Sequence, residues 1–104
     1  MQVAADELLE ETGYYFETTV CLGTHQLQDP GILGAEYSAY LLLGCEKIQE
    51  PRPDVTERIE VHLLSLRACL ELIWQRKLTD DKSQALFLLA MPHLGIRLDF
   101  PEGL

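Results

Sequence analysis

DVTERIEVHLLSLRACLELIWQRK, residues 54–77, is the stretch on which a fold prediction for this chain depends. Apolar residues recur there at the spacing of one helical stripe. The stripe consists of Val55, Ile59, Leu63, Leu66, Leu70 and Ile73. Asp54 with Glu57 three residues later is typical of a capping box, and Pro51 and Pro53 would end the preceding element. We therefore predict a helix over 54–77.

Three more helices are predicted, two of them from start signals. Asp29 before Pro30 pairs a good N-cap residue with a proline that fits the first helical position, and Thr79-Asp80-Asp81 is a further cap. The predicted helices span 3–27, 30–49 and 79–91, and the apolar run in the last of them predicts burial nearly all round. The expected fold is mainly α. It is a compact bundle of about four helices in a single helical domain over 1–104, with an extended or β-like C-terminal tail.

Two segments also fit strands. Residues 14–22, YYFETTVCL, are rich in aromatic and β-branched residues, although their apolar positions also extend the first helical stripe, and we favour the helix. In the tail, every second residue is apolar, which indicates a half-buried strand or, within 92–104, an extended C-terminal arm covering the helices. The alternating residues are Leu94, Ile96, Leu98 and Phe100. The alternative fold is α+β, with 14–22 and 94–100 as paired strands.

The charge is concentrated in the first half of the chain. Among 104 residues, 17 Asp and Glu stand against 8 Lys and Arg, a net charge of −9. Residues 1–46 hold eight of the acidic side chains, and the first basic one is Lys47. This balance argues against direct binding to nucleic acid or to an anionic membrane, which both require clustered Lys and Arg. It predicts an acidic surface that a basic protein partner would recognise.

Motifs that carry chemistry are missing from the sequence. It has no short His, Cys or Glu spacing typical of a metal site, no Gly-x-Ser-x-Gly turn, and no glycine loop followed by lysine. We expect no cofactor, no metal and no enzymatic activity. Three cysteines and no signal-peptide pattern favour a cytoplasmic protein with buried, inert thiols.

The predicted partner-binding residues are acidic and aromatic side chains of the N-terminal segment. They are Glu7, Glu10, Glu11, Tyr14, Tyr15 and Glu17. Because Tyr14 and Tyr15 are adjacent, one of them must point away from any single apolar face. We expect a non-catalytic acidic interaction module, an inhibitor or regulator of the anti-CRISPR, anti-restriction or immunity type, whose partner could be a nucleic-acid-binding protein.

Two other functions stay open at this point. One is an oligomeric scaffold or accessory subunit, with a homodimer assembled through the helices or through the alternating tail residues. The other is a small enzyme or carrier with a cavity near His62, Cys69 or Trp74.

Overall fold

The computed structural model describes residues 2–27, 36–56 and 58–104, and it shows an α+β fold. Two short sheets form: β1 (Tyr14–Tyr15) pairs with β4 (Glu46–Lys47), and β2 (Thr18–Leu27) pairs with β3 (Glu36–Leu43). Contacts divide the chain into unit 1, Met1–Val20 with Tyr40–Leu63, and unit 2, Cys21–Ala39 with Leu64–Leu104. In chain order the elements are α1 (Gln2–Thr12), β1 (Tyr14–Tyr15), β2 (Thr18–Leu27), β3 (Glu36–Leu43), β4 (Glu46–Lys47), α2 (Leu66–Trp74), α3 (Asp81–Ala90) and a 3-10 turn (Met91–Leu94). The prediction of a four-helix bundle is therefore wrong.

The predicted helix over 3–27 ends early, at Thr12. Gly13 follows with a φ of 79°, in the left-handed region that L side chains rarely adopt, and its N–H donates to the Leu9 carbonyl at 2.8 Å. This closes α1. The β-branched start of β2, Thr18-Thr19-Val20, then favours extended backbone, so the strand alternative for this stretch is the correct one.

The predicted helix over 30–49 is wrong in its described part, which contains β3 and β4. Its Asp29-Pro30 start lies outside the described residues. Burial alternates over the first five residues of β3, where Ala39 is buried and Tyr40 is exposed. The run Tyr40–Leu43 is apolar at every position, so it fits a helical and an alternating pattern equally. Pairing with β2, a contact distant in sequence, decides between them.

The predicted helix over 54–77 is formed only in its second half, as α2. Ser65 caps α2, because its Oγ accepts a hydrogen bond from the Ala68 N–H at 3.1 Å. The helix therefore begins after Ser65 and not after Asp54. Upstream of the cap, the described residues from 58 onward form neither helix nor strand, and the predicted stripe is open to solvent, with Val55 99% exposed.

The predicted start of the last helix is confirmed. Asp80 caps α3, and its Oδ2 accepts from the Ser83 N–H at 3.0 Å and from the Ser83 hydroxyl at 2.6 Å. The predicted burial nearly all round is wrong. Ala90 is the one buried residue of α3, and Leu88 is 62% exposed.

The tail forms no strand, so the alternative pairing of 14–22 with 94–100 is also wrong. The 3-10 turn ends at Gly95, whose φ of 74° is left-handed, and the Ile96 N–H donates to the Met91 carbonyl at 3.1 Å instead of to a sheet. Alternation alone does not make a strand, because none of the strands in the described ranges pairs with the tail.

The buried apolar side chains within the described ranges are small: Ala5, Ala39 and Ala90. Most large apolar side chains are half-buried or exposed, and they remain available for contacts with other molecules. None of the described helices is both long and apolar enough to cross a membrane.

Candidate functional site

Unit 1 carries most of the net charge. Its residues include ten acidic and three basic side chains, which gives −7, whereas unit 2 has seven acidic and five basic side chains, which gives −2. In the sequence, the excess of acidic over basic side chains lies before Lys47. In the fold, most of this excess belongs to unit 1, because residues from Tyr40 onward rejoin unit 1 and add further acidic side chains to it.

Backbone hydrogen bonds seat α1 on the segment that follows β4. The Gly13 carbonyl accepts from the Ile48 N–H at 2.9 Å and from the Gln49 N–H at 3.3 Å, and the Arg52 N–H donates to the Glu10 carbonyl. The last carbonyls of a helix lack partners within the helix, and the bond from Arg52 satisfies that of Glu10. The end of α1 is thereby fixed beside residues 48–52.

Three predicted site residues line one surface depression of about 270 Å³, which we call the α1 depression. Glu7, Glu10 and Glu11 follow the helical spacing that puts residues three and four apart on neighbouring positions. The chain after β4 completes the lining with Arg52, Pro53 and Asp54. The lining thus includes four carboxylate side chains and a single guanidinium side chain. Among the described residues, no ion pair within 4.0 Å joins Arg52 to these carboxylates.

An aromatic patch lies elsewhere in unit 1. The rings of Tyr15 and Phe16 stack, with centroids 5.1 Å apart and planes 17° apart. In the antiparallel β1–β4 pair, Tyr14 lies opposite Lys47 and Tyr15 opposite Glu46. Tyr14 is half-buried, whereas Tyr15 is 44% exposed. The patch borders a depression of about 280 Å³ lined by Tyr15, Phe16, Glu17, Gly44, Glu46 and Ile48.

The structure thus divides the predicted partner-binding residues between two places in unit 1. Tyr15 and Glu17 lie at the aromatic patch, the three glutamates lie at the α1 depression, and Tyr14 lines neither. Arg52 and Phe16 also line these depressions and were not predicted from the sequence. Pro51 and Pro53 could have indicated an extended segment at Arg52, but not that it meets α1.

The predicted tail contacts lie in unit 2. Leu94, Leu98 and Phe100 are exposed, and Ile96 is half-buried. They form no strand, so any partner would meet them as separate apolar side chains.

A larger depression of about 630 Å³ lies within unit 2, at the start of α3. Its lining includes Tyr37, with the Lys82 ammonium 4.7 Å from the ring centroid, and Asp80. The hydrogen bonds from Ser83 lower the pKa of Asp80 below its ordinary value. These contacts stabilise the start of α3. The carboxylate is held ionised, so it is a poor general acid at neutral pH.

The thiols differ from the prediction of three buried cysteines. Cys21 in β2 and Cys45 are exposed, and Cys69 in α2 is half-buried. All three are free. Within the described ranges, no group of three or more His, Cys, Asp or Glu residues is arranged to hold a metal ion.

Comparison with known proteins finds no match for this chain, whether among protein-family models, curated proteins or solved structures.

Proposed function

We propose that the protein is a non-catalytic interaction module that uses unit 1 to bind a basic surface on a partner protein. The observation that carries this proposal is the charge of −7 in unit 1, with four carboxylates around the α1 depression. A surface of one sign attracts an oppositely charged partner over several ångströms and increases the association rate.

The α1 depression suits an arginine or lysine side chain of the partner. Its carboxylates come from α1 and from Asp54, and carboxylates bind a guanidinium through paired, charge-assisted hydrogen bonds. Glu7 and Glu10 are exposed, so they approach the partner without prior rearrangement. Arg52 is the competing cation, and its replacement should tighten binding.

The aromatic patch provides an apolar contact in the same unit. Tyr15 and Phe16 are stacked, so their rings are ordered before a partner arrives, and Ile48 beside them is exposed. Ordered aromatic side chains are frequent hot spots of interfaces because they contribute area at low entropic cost.

A nucleic-acid-binding protein is the partner class that we propose, because its binding groove is positively charged. Occupation of that groove would inhibit or regulate it, as expected for a protein of the anti-CRISPR, anti-restriction or immunity type. We further propose that this occurs in the cytoplasm, which the three free cysteines support, since reducing compartments keep thiols unpaired.

Affinity capture with three forms of the full chain tests this proposal. The baits are the natural chain, Glu7→Gln/Glu10→Gln/Glu11→Gln, and the charge-matched control Glu71→Gln/Asp99→Asn/Glu102→Gln, whose sites are exposed and lie in unit 2. We expect a basic protein that the natural chain and the control retain, that the α1 variant loses, and that dissociates as salt rises. Equal retention by the α1 variant would refute the role of the α1 depression.

A further inference from the structure

We infer that the aromatic patch binds the guanidinium group of an arginine side chain on the partner protein. This inference rests on the function proposed for unit 1 and extends it, because it gives the patch a charged ligand in addition to an apolar contact. The site consists of the stacked rings of Tyr15 and Phe16 and the carboxylates of Glu17 and Glu46, which all line the depression of about 280 Å³. This volume is slightly below that of most small-molecule sites, and it suits a single side chain.

Strand pairing places one carboxylate beside the rings. Tyr15 lies opposite Glu46 in the antiparallel β1–β4 pair, and the side chains of directly opposite residues are neighbours on one face of a sheet. Lys47, the next residue of β4, belongs to the other face, since successive side chains of a strand alternate. Its ammonium pairs with the Glu50 carboxylate at 3.3 Å. The basic residue adjacent to Glu46 is therefore engaged elsewhere.

A glycine makes room for the second carboxylate. The Glu17 N–H donates to the Leu43 carbonyl at 3.0 Å, which holds Glu17 beside the end of β3. A Cβ at Gly44 would lie 2.7 Å from the Glu17 Cβ and 2.8 Å from its Oε2. The Glu17 side chain thus uses space that a side chain at position 44 would need. Gly44 also has a left-handed φ of 68°, which favours glycine.

The two carboxylates have no cation of their own in the described parts of the chain. Neither Glu17 nor Glu46 takes part in an ion pair within 4.0 Å there, and the described lining includes no basic side chain. Both are exposed, and Tyr15 remains 44% exposed although Phe16 stacks on it. Charge complementarity therefore favours a cationic occupant, and the rings favour one that can lie against an aromatic face.

The combination of rings and carboxylates favours arginine over lysine. A guanidinium is planar, so it stacks on an aromatic ring while the N–H groups at its edge donate paired hydrogen bonds to a carboxylate. A lysine ammonium is a compact, strongly hydrated charge without such a plane. In the complex, the guanidinium lies against Tyr15 and donates to Glu46 and Glu17. An apolar partner segment would leave both carboxylates desolvated and unpaired, which is unfavourable.

Amide chemical shifts measured by NMR on the full chain test the inference. The probe is N-acetyl-L-arginine methylamide, and the corresponding lysine derivative is its control. At constant ionic strength, the arginine probe should shift the amides of Tyr15, Phe16, Glu17 and Gly44 with a dissociation constant on the order of 10 mM, because the site is exposed. The lysine probe should bind about threefold more weakly, since it lacks the planar group that stacks.

Substitutions separate the contribution of the rings from that of the carboxylates. Tyr15→Leu should weaken binding of the arginine probe about two- to fivefold, the loss expected for an exposed cation–π contact, whereas Tyr15→Phe keeps the ring and the affinity. Glu17→Gln and Glu46→Gln should each weaken binding about threefold. Glu7→Gln, the same change at an exposed position of α1, should leave the shifts at the patch unchanged. Far-UV circular dichroism checks that each variant is folded.

Three results would overturn the inference: no shifts at the patch, equal affinities of the two probes, or unchanged affinity in Tyr15→Leu. Shifts confined to Glu7, Glu10 and Glu11 would also overturn it, because the arginine probe would then bind at the α1 depression, while the function proposed for unit 1 would stand. The probe is a small molecule, so its binding does not depend on the capture experiment. Failure of the patch is thereby distinguished from failure of the proposed function.

Discussion

Replacement of Gly13 by alanine should destabilise unit 1 through a specific backbone contact. Gly13 has a φ of 79°, and its carbonyl accepts the hydrogen bonds that hold the chain after β4 against α1. A Cβ at Gly13 would overlap the Gln49 carbonyl oxygen and lie 3.1 Å from the Gln49 carbonyl carbon. Both obstructing atoms belong to the backbone, so a side-chain rotation does not relieve the clash.

Three contributions set the size of the effect. The left-handed backbone costs an alanine about 1–2 kcal/mol relative to glycine. Displacement of the Gln49 backbone costs about 1–3 kcal/mol, as for other overpacked sites. The smaller conformational freedom of alanine in the unfolded chain offsets about 0.4–1 kcal/mol. We expect a net loss of about 2–4 kcal/mol in the free energy of unfolding.

Gly95→Ala is the matched control. Gly95 has nearly the same φ, 74°, but a Cβ there meets nothing within 4 Å. Its replacement should therefore cost about 1 kcal/mol, from the backbone conformation alone. The difference between the two variants isolates the contact between Gly13 and Gln49.

Urea denaturation measured by far-UV circular dichroism gives both free energies. Trp74 belongs to unit 2, so its fluorescence shows whether unit 2 unfolds with the rest of the chain. If Gly13→Ala costs no more than Gly95→Ala, α1 does not rest on residues 48–52, and the geometry of the α1 depression is wrong.

Three further changes test the ends of α2 and α3. Arg76 follows the last turn of α2 with a left-handed φ of 60°. Arg76→Gly should therefore raise the free energy of unfolding, measured by urea denaturation, by about 1 kcal/mol. A lower free energy of unfolding would contradict the left-handed cap. Ser65→Ala removes the acceptor at the start of α2 and should lower thermal stability by about 1 kcal/mol, unlike Ser65→Asp, which keeps an acceptor. Because the pKa of Asp80 is lowered in the folded chain, its stabilisation is present above about pH 4 and is lost as the pH falls through the lowered value. Ser83→Ala should raise that pKa, and an NMR titration in which the carboxyl of Asp80 keeps its pKa would contradict the role of the hydroxyl.

Local signals in the sequence locate some element ends correctly. The start of α3 depends on Asp80 and the residues within three positions of it, so the pattern of a cap residue followed by an acidic first turn is sufficient. The helix over 54–77 shows where local signals are insufficient. Its apolar spacing is helical throughout, and both Asp54 and Ser65 are suitable cap residues. A periodic pattern does not by itself select which of them starts the helix.

The strands depend on contacts that sequence spacing does not contain. In β3 the run Tyr40–Leu43 fits helix and strand alike, and only pairing with β2 selects the strand. The candidate site likewise has one part that sequence spacing predicts and one part that it does not. Helical spacing predicts that Glu7, Glu10 and Glu11 are neighbours. The approach of Arg52 to α1 instead requires the bonds that Gly13 forms with residues more than thirty positions later in the chain.

The exposed thiols give each unit a natural attachment point. Cys45 belongs to unit 1 and Cys21 to unit 2, and the remaining thiol, Cys69, is half-buried and should react more slowly. A donor and an acceptor dye coupled to these two positions would report the distance between the units by energy transfer, with no cysteine introduced. The natural cysteines thus make each unit separately addressable by a spectroscopic label.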